Sequence, residues 1–166
     1  AIFLGLGFPG GPVIDKFAKQ GNRRAFEFPR PMVKSKDYDF SFSGLKTAVI
    51  NMFKDRVAAN EKLPLADIAA SFQEAVVDTL VIKTLRAAEE KGVKAVSVTG
   101  GVSANSRLRE SFLAACKEKG LEVYFPKLSL CTDNAAMIAA AGYARLSKGE
   151  TSDLRLNVFP NAPLGG

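Results

Sequence analysis

KAVSVTGGVSANSRLRESFLAACKEKGLEVYFP, Lys94–Pro126, is the stretch whose reading decides the fold. Lys94–Val98 is a short apolar run suited to a strand. Gly100 and Gly101 break it. Asn105–Lys119 carries a helical pattern closed by Gly120, and Glu122–Phe125 forms a second strand candidate stopped by Pro126. Two strands joined through a helix imply parallel pairing with a crossover connection. The expected fold class is therefore α/β.

A second junction follows directly. CTDNAAMIAAAGY, Cys131–Tyr143, opens another helix, Asp133–Ser147, closed by Gly149. Both junctions put small or polar residues where a helix start exposes unpaired N–H groups, which suits anions and metal-bound ligands. In the first, Gly100 and Gly101 allow backbone angles closed to other residues and let a ligand approach the main chain. Ser103 or Asn105 can cap the helix, or Asn105 can face outward to a ribose or phosphate oxygen; a plain tight turn with an N-cap accounts for the same letters. In the second, Asp133 is either an N-cap or a carboxylate for a hard cation. The small-residue stripe Ala135, Ala136, Ala139, Ala140 and Gly142 implies a closely packed neighbouring helix or room for a ligand.

Upstream, Pro64 opens the clearest helix, Leu65–Lys91, in which Ile68, Phe72, Val76 and Leu80 recur every four residues and read as a core-facing stripe. Ser43 precedes another helix, with Leu45, Val49, Met52 and Phe53 on one face. Lys46, in its first turn, opposes the helix dipole; it either serves a phosphate or RNA or is simply solvated. Before it, Phe40 and Phe42 alternate with Ser41 and Ser43 as a brief strand or extended loop. Residues 1–42 are rich in glycine and proline, with a short helix at Val13–Lys19 closed by Gly21 and an extended piece at Phe26–Pro31. In PGGPVID, Asp15 lies one helical turn past Gly11, so both can address one ligand, or Asp15 faces solvent. The expected division is a domain over 1–150, made of a loop-rich segment 1–42, a helical insert 43–92 and a strand–helix core 93–150, followed by a tail 151–166.

The chain has 166 residues, 47% of them hydrophobic and 24% charged, enough for one ordinary domain with its own core. No apolar run approaches the roughly 20 residues of a membrane span. The apolar start AIFLGLGFPGGPVID lacks a basic leader and a cleavage site, so it reads as a chain entered partway rather than as a signal peptide. Cys116 and Cys131 have neither metal spacing nor a disulfide framework, which favours a reducing, cytoplasmic setting. The net charge of +6 and a pI near 9.4 suit a polyanion such as RNA, although the bases are spread out as on any solvated surface. The chain contains no histidine. It therefore holds no Ser-His-Asp triad, histidine metal pair or histidine general base.

LGLGFPGGP, FPRP, DFSFSGLKTAV, DIAASFQEAVVDTLVIKT, GGVSANSRLR and CTDNAAMIAAAGY together resemble the C-terminal part of the TsaD/Gcp family, over nearly the whole chain. These are the tRNA threonylcarbamoyladenosine transferases, once named O-sialoglycoprotein endopeptidases. The resemblance implies a ribonuclease-H-like lobe of an actin-like ATPase fold, shared with sugar kinases and the heat-shock ATPase. It implies transfer of a threonylcarbamoyl group from its adenylate to N6 of adenosine 37 in tRNA. By motif, Gly11, Asp15, Gly100, Gly101 and Asn105 correspond to nucleotide- or substrate-binding positions, and Asp133 to a ligand of the metal, iron or zinc. No catalytic base is implied. The implied ligand is an adenine nucleotide or threonylcarbamoyl-adenylate. The implied partners are tRNA, paralogous or accessory subunits of the modifying complex, and a second copy as a homodimer; a membrane is not among them. The family's other metal ligands form a His-x-x-x-His pair, which this chain lacks. The expectation is a fragment holding half a cleft, inactive alone. The competing readings are a non-catalytic nucleotide-binding or partner-docking lobe and, following the older name, a metallopeptidase.

Overall fold

The computed structural model describes residues 1–157. It falls into two compact units, Ala1–Cys131 and a second that begins at Thr132.

The first unit is organised around one long helix. Helix α1 spans Gly10–Ala18, α2 Ser43–Ala58, α3 Leu65–Glu90 and α4 Ser106–Glu118, and strands β1 and β2 are Ala95–Ser97 and Glu122–Tyr124. The 26 residues of α3 give it a length of about 39 Å. Its first half packs Ile68, Ala69, Ala70 and Ala75 with Ile14 and Ala18 of α1 and Leu45 and Val49 of α2. Its second half packs Val77, Val81, Leu85 and Ala88 with Val96 of β1 and Leu108, Phe112 and Cys116 of α4. Burial on more than one side explains why small residues fill so much of α3.

The strands pair in parallel, with Val96 opposite Val123, and α4 is the crossover between them. Glu122 N–H donates to Lys94 O and Val98 N–H to Tyr124 O, both at 2.9 Å, so the ladder reaches one residue past the strand ends. The α/β class and the parallel pair agree with the sequence.

Local differences have clear causes. Helix α1 starts at Gly10 rather than Val13, because Pro12 fits a first helical turn, where its missing N–H has no partner to lose. Phe26–Pro31 and Phe40–Phe42 join no sheet. Instead, Phe26 N–H donates to Ser71 Oγ (3.1 Å), and that hydroxyl donates to Asn22 O (3.2 Å), which ties this segment to α3. Gly21 is required nearby, since a Cβ there would lie 2.0 Å from Ala66 O.

In the second unit, helix α5 spans Ala135–Leu146. The expected tail from Thr151 is described as far as Asn157; its residues 158–166 lie outside the described residues. No described helix is long and apolar enough to cross a membrane.

Candidate nucleotide pocket

The chain turn after β1 is built on Gly100. Its φ of 84° lies in the left-handed region that favours glycine. A short 3-10 turn, Gly101–Ala104, then leads into α4, with Ser103 N–H donating to Gly100 O. Of the two candidate caps, Asn105 takes the role: its Oδ1 accepts from Leu108 N–H at 2.9 Å. Ser103 is instead buried, with its hydroxyl unpaired.

Asn105 has a second partner. Its Nδ2 donates to Gln73 Oε1 on α3 at 2.8 Å. Two residues past Asn105, Arg107 makes two bonds to Glu74, one residue past Gln73, at 2.7 and 2.6 Å, and a third to Glu110 at 2.9 Å. The guanidinium beside Glu74 holds its carboxyl below the usual range, and Glu74 in turn raises Arg107. Arg109 is also engaged. It donates to Ser103 O and Pro126 O, and its guanidinium lies 4.8 Å from the Phe125 ring centroid. Neither arginine is a loose cation awaiting RNA; both brace the loop.

Helix α1 approaches the same corner. Asp15 Oδ1 accepts from the Ser106 hydroxyl at 2.8 Å, and its other oxygen lies 3.5 Å from Lys19. The solvent-facing reading of Asp15 is thus replaced by a side chain tied to the start of α4. Between these elements lies a pocket of about 290 Å³, close to the lower limit for small-molecule sites. Gly10, Gly11, Gln73 and Asn105 line it, and Phe72, Val76 and Leu80 form its apolar wall. Along the α3 stripe Ile68 is fully buried, while Phe72, Val76 and Leu80 are half-buried, packing against the core and also lining the pocket.

Gly11 and Gly101 carry a further signal. Neither has a positive φ, and a Cβ on either would meet no atom within 4 Å. Among the described residues, no fold constraint demands glycine at these positions. Lys46 lines a separate, apolar pocket of about 450 Å³ with Phe3, Phe42 and Phe72.

Asp133 belongs to the second unit and is exposed. The α5 cap is its neighbour: Asn134 is extended (φ −153°, ψ 155°) and its Oδ1 accepts from Met137 N–H at 3.1 Å. Of the two readings of Asp133, the capping one is therefore set aside. Its carboxylate has the chemistry of a hard-metal donor, but one carboxylate is not a site. Among the described residues, no group of three histidine, cysteine or acidic residues could hold an ion.

Sequence reasoning missed Gln73. A polar residue among the alanines and valines of α3 was the available signal.

A protein named tRNA N6-adenosine threonylcarbamoyltransferase from Thermotoga neapolitana is 52% identical over 161 residues, covering 97% of this chain and 48% of that protein. Proteins of the same name from Clostridium beijerinckii and Clostridioides difficile are 50% and 49% identical, covering 98% and 95% of this chain and 48% and 47% of their own. The chain thus spans about half the length of the curated relatives it matches. The family profile described as TsaD, tRNA N6-adenosine threonylcarbamoyltransferase, matches residues 1–140. With that match and these identities, the chain belongs to the TsaD family.

Proposed function

We propose that this chain supplies one side of the cleft in which a threonylcarbamoyl group passes from its adenylate to N6 of adenosine 37 in tRNA. In this reading it is part of a lobe of an actin-like ATPase fold, comprising residues 1–150 with the tail 151–166, and it works in a cytoplasmic enzyme. The observation that carries the reading is the convergence of Gly11, Gln73 and Asn105 on one pocket, beside a turn made by Gly100 and Gly101. Open backbone at Gly11 and Gly101 suits close approach of a nucleotide.

In the transfer, a bond forms between the adenosine N6 and the carbamoyl carbon. The bond from that carbon to the phosphate oxygen breaks, AMP leaves with the electron pair, and the proton shed by the N6 amine passes to solvent. This chain's part is to hold and orient the adenylate. Asn105 keeps one Nδ2 proton and one Oδ1 lone pair beyond its two bonds, and the glycine backbone lets the ligand lie close. Asp15 fixes the start of α4 relative to α1. A divalent ion, iron or zinc, would supply Lewis-acid polarisation of the carbonyl, and Asp133, on the second unit, has the carboxylate chemistry to be one of its oxygen donors. The described residues do not supply its other ligands.

The test is AMP titration of this chain, followed by amide resonances. Saturable shifts at Gly11, Gly101 and Asn105 are expected, with weak affinity because one wall encloses the ligand only in part. No perturbation at these residues at millimolar AMP overturns the reading. The chain alone is expected to form no threonylcarbamoyladenosine, and product from it alone overturns the half-cleft assignment.

The exposure of Ile138 and Tyr143 on α5, 75% each, favours a second reading, in which the chain also docks a partner subunit.

A further inference from the structure

The contact between Gln73 and Asn105 has a fixed polarity. A backbone N–H only donates, so the Asn105 atom that faces Leu108 N–H is the amide oxygen. Asn105 therefore turns its NH₂ toward Gln73, and Gln73 must answer with its oxygen. The amide nitrogen of Gln73 is thereby directed away from Asn105. The whole orientation follows from one main-chain donor at the start of α4.

Gln73 is only 8% exposed and lines the pocket beside Asn105, against the apolar wall of Phe72 and Val76. Each end of an amide placed there needs a protein partner or water. The oxygen has a protein partner in Asn105. The nitrogen bonds to no protein acceptor among the described residues and is not one of the buried atoms left without a partner, so it remains accessible. Pockets that bind small molecules use a few such placed polar groups in an apolar lining to fix ligand orientation.

We infer that Gln73 is a recognition residue of this pocket: Oε1 holds the Asn105 amide in orientation, and Nε2 donates to an acceptor atom of the bound adenine nucleotide. The inference rests on the nucleotide reading given above and adds a residue and a polarity to it. With Nε2 of Gln73 and the remaining proton of Asn105 Nδ2, the pocket offers a pair of donors, which fits the acceptor-rich edge of a base, ribose or phosphate.

AMP titration of the chain, with side-chain amide resonances assigned, tests it. The Gln73 Nε2 resonance should shift along the same saturation curve as that of Asn105. Gln73→Glu keeps an acceptor for Asn105 but turns the ligand-facing donor into an acceptor. It should weaken AMP binding by about tenfold or more while the Leu108 amide resonance stays in place. Unchanged AMP affinity in Gln73→Glu, or an Asn105 shift with a stationary Gln73, overturns the inference and leaves the pocket reading intact. If Gln73→Glu does not fold, Gln73→Met decides: affinity equal to that of the parent chain overturns the inference, and weakened binding supports it. If AMP perturbs neither residue in the parent chain, the nucleotide reading itself falls, and this inference with it.

Discussion

Asp15 and Ser106 stand 91 positions apart in sequence, and the Ser106 hydroxyl donates to Asp15 Oδ1 at 2.8 Å. The bond joins the middle of α1 to the first residue of α4, so two of the helices that frame the pocket are fixed to each other by one carboxylate. Asp15→Asn can keep an acceptor for Ser106, whereas Asp15→Ala cannot. Asp15→Ala should cost about 0.5–2 kcal/mol of stability, and Asp15→Asn clearly less. Chemical denaturation of both variants checks this. Equal losses would mean that the carboxylate charge beside Lys19, and not the Ser106 bond, carries the effect.

Gly11→Ala separates a structural glycine from a ligand-facing one. Gly11 lies inside α1 with an ordinary φ and open space around its Cα. Alanine is the better helix former, so the melting temperature should hold or rise, by up to about 1 kcal/mol of stability. AMP binding should fall, because the new methyl projects where the ligand approaches. A stable variant with unchanged AMP affinity would remove Gly11 from the site.

The parallel β1–α4–β2 unit was legible because glycine and proline mark its ends: Gly92, Gly100, Gly120 and Pro126 set the boundaries to within a residue or two. The role of the α3 stripe was legible only in part. A period of four marks an apolar face but not everything that covers it, and Phe72, Val76 and Leu80 line a pocket as well as packing against the core. Much of the true core of α3 is small, with Ala69, Ala70, Ser71 and Ala75 fully or almost fully buried, and small residues leave little trace in an apolar pattern. Asp133 and Asn134 are adjacent and cap equally well by type. Which one caps depends on backbone angles that only the fold sets.

Glu74 gives a pH signature. Its hydrogen bonds from Arg107 lower its folded pKa below the ordinary value of 4.5. A lowered carboxylate contributes stability that is fully present above the unfolded value and is lost as pH falls through the folded one. Glu74→Gln should therefore cost about 1–3 kcal/mol near neutrality, and its deficit against the parent chain should shrink below about pH 4.5. Denaturant midpoints from pH 3 to 7 read the difference. A deficit independent of pH would assign the effect to packing.

Lys83 organises the loop before α2. It is 1% exposed, and its ammonium contacts Met32 O, Ser35 Oγ, Asp37 Oδ1 and Asp39 O. Lys83→Met keeps the aliphatic stem but leaves these acceptors without their shared donor. The loss should be about 1–3 kcal/mol, since Asp37 is half exposed and can rehydrate. Hydrogen exchange should rise across residues 32–39 before it rises in α3. Uniform loosening of the unit would show that Lys83 supports the core and not the loop.

Asp133 is where the metal proposal meets its sharpest test. Its neighbour Asn134 already caps α5, so removing the Asp133 charge should leave helix stability within about 0.5 kcal/mol. If Asp133 is a metal ligand, Asp133→Asn replaces an anionic oxygen donor with a neutral one and should lower metal content and transfer activity in the full-length protein. The variant is therefore expected to melt like the parent and to hold less metal. Elemental analysis of the purified, folded variant reads the outcome directly. Full occupancy with unchanged transfer would show that the carboxylate, already free of a capping role, has no part in the metal site either.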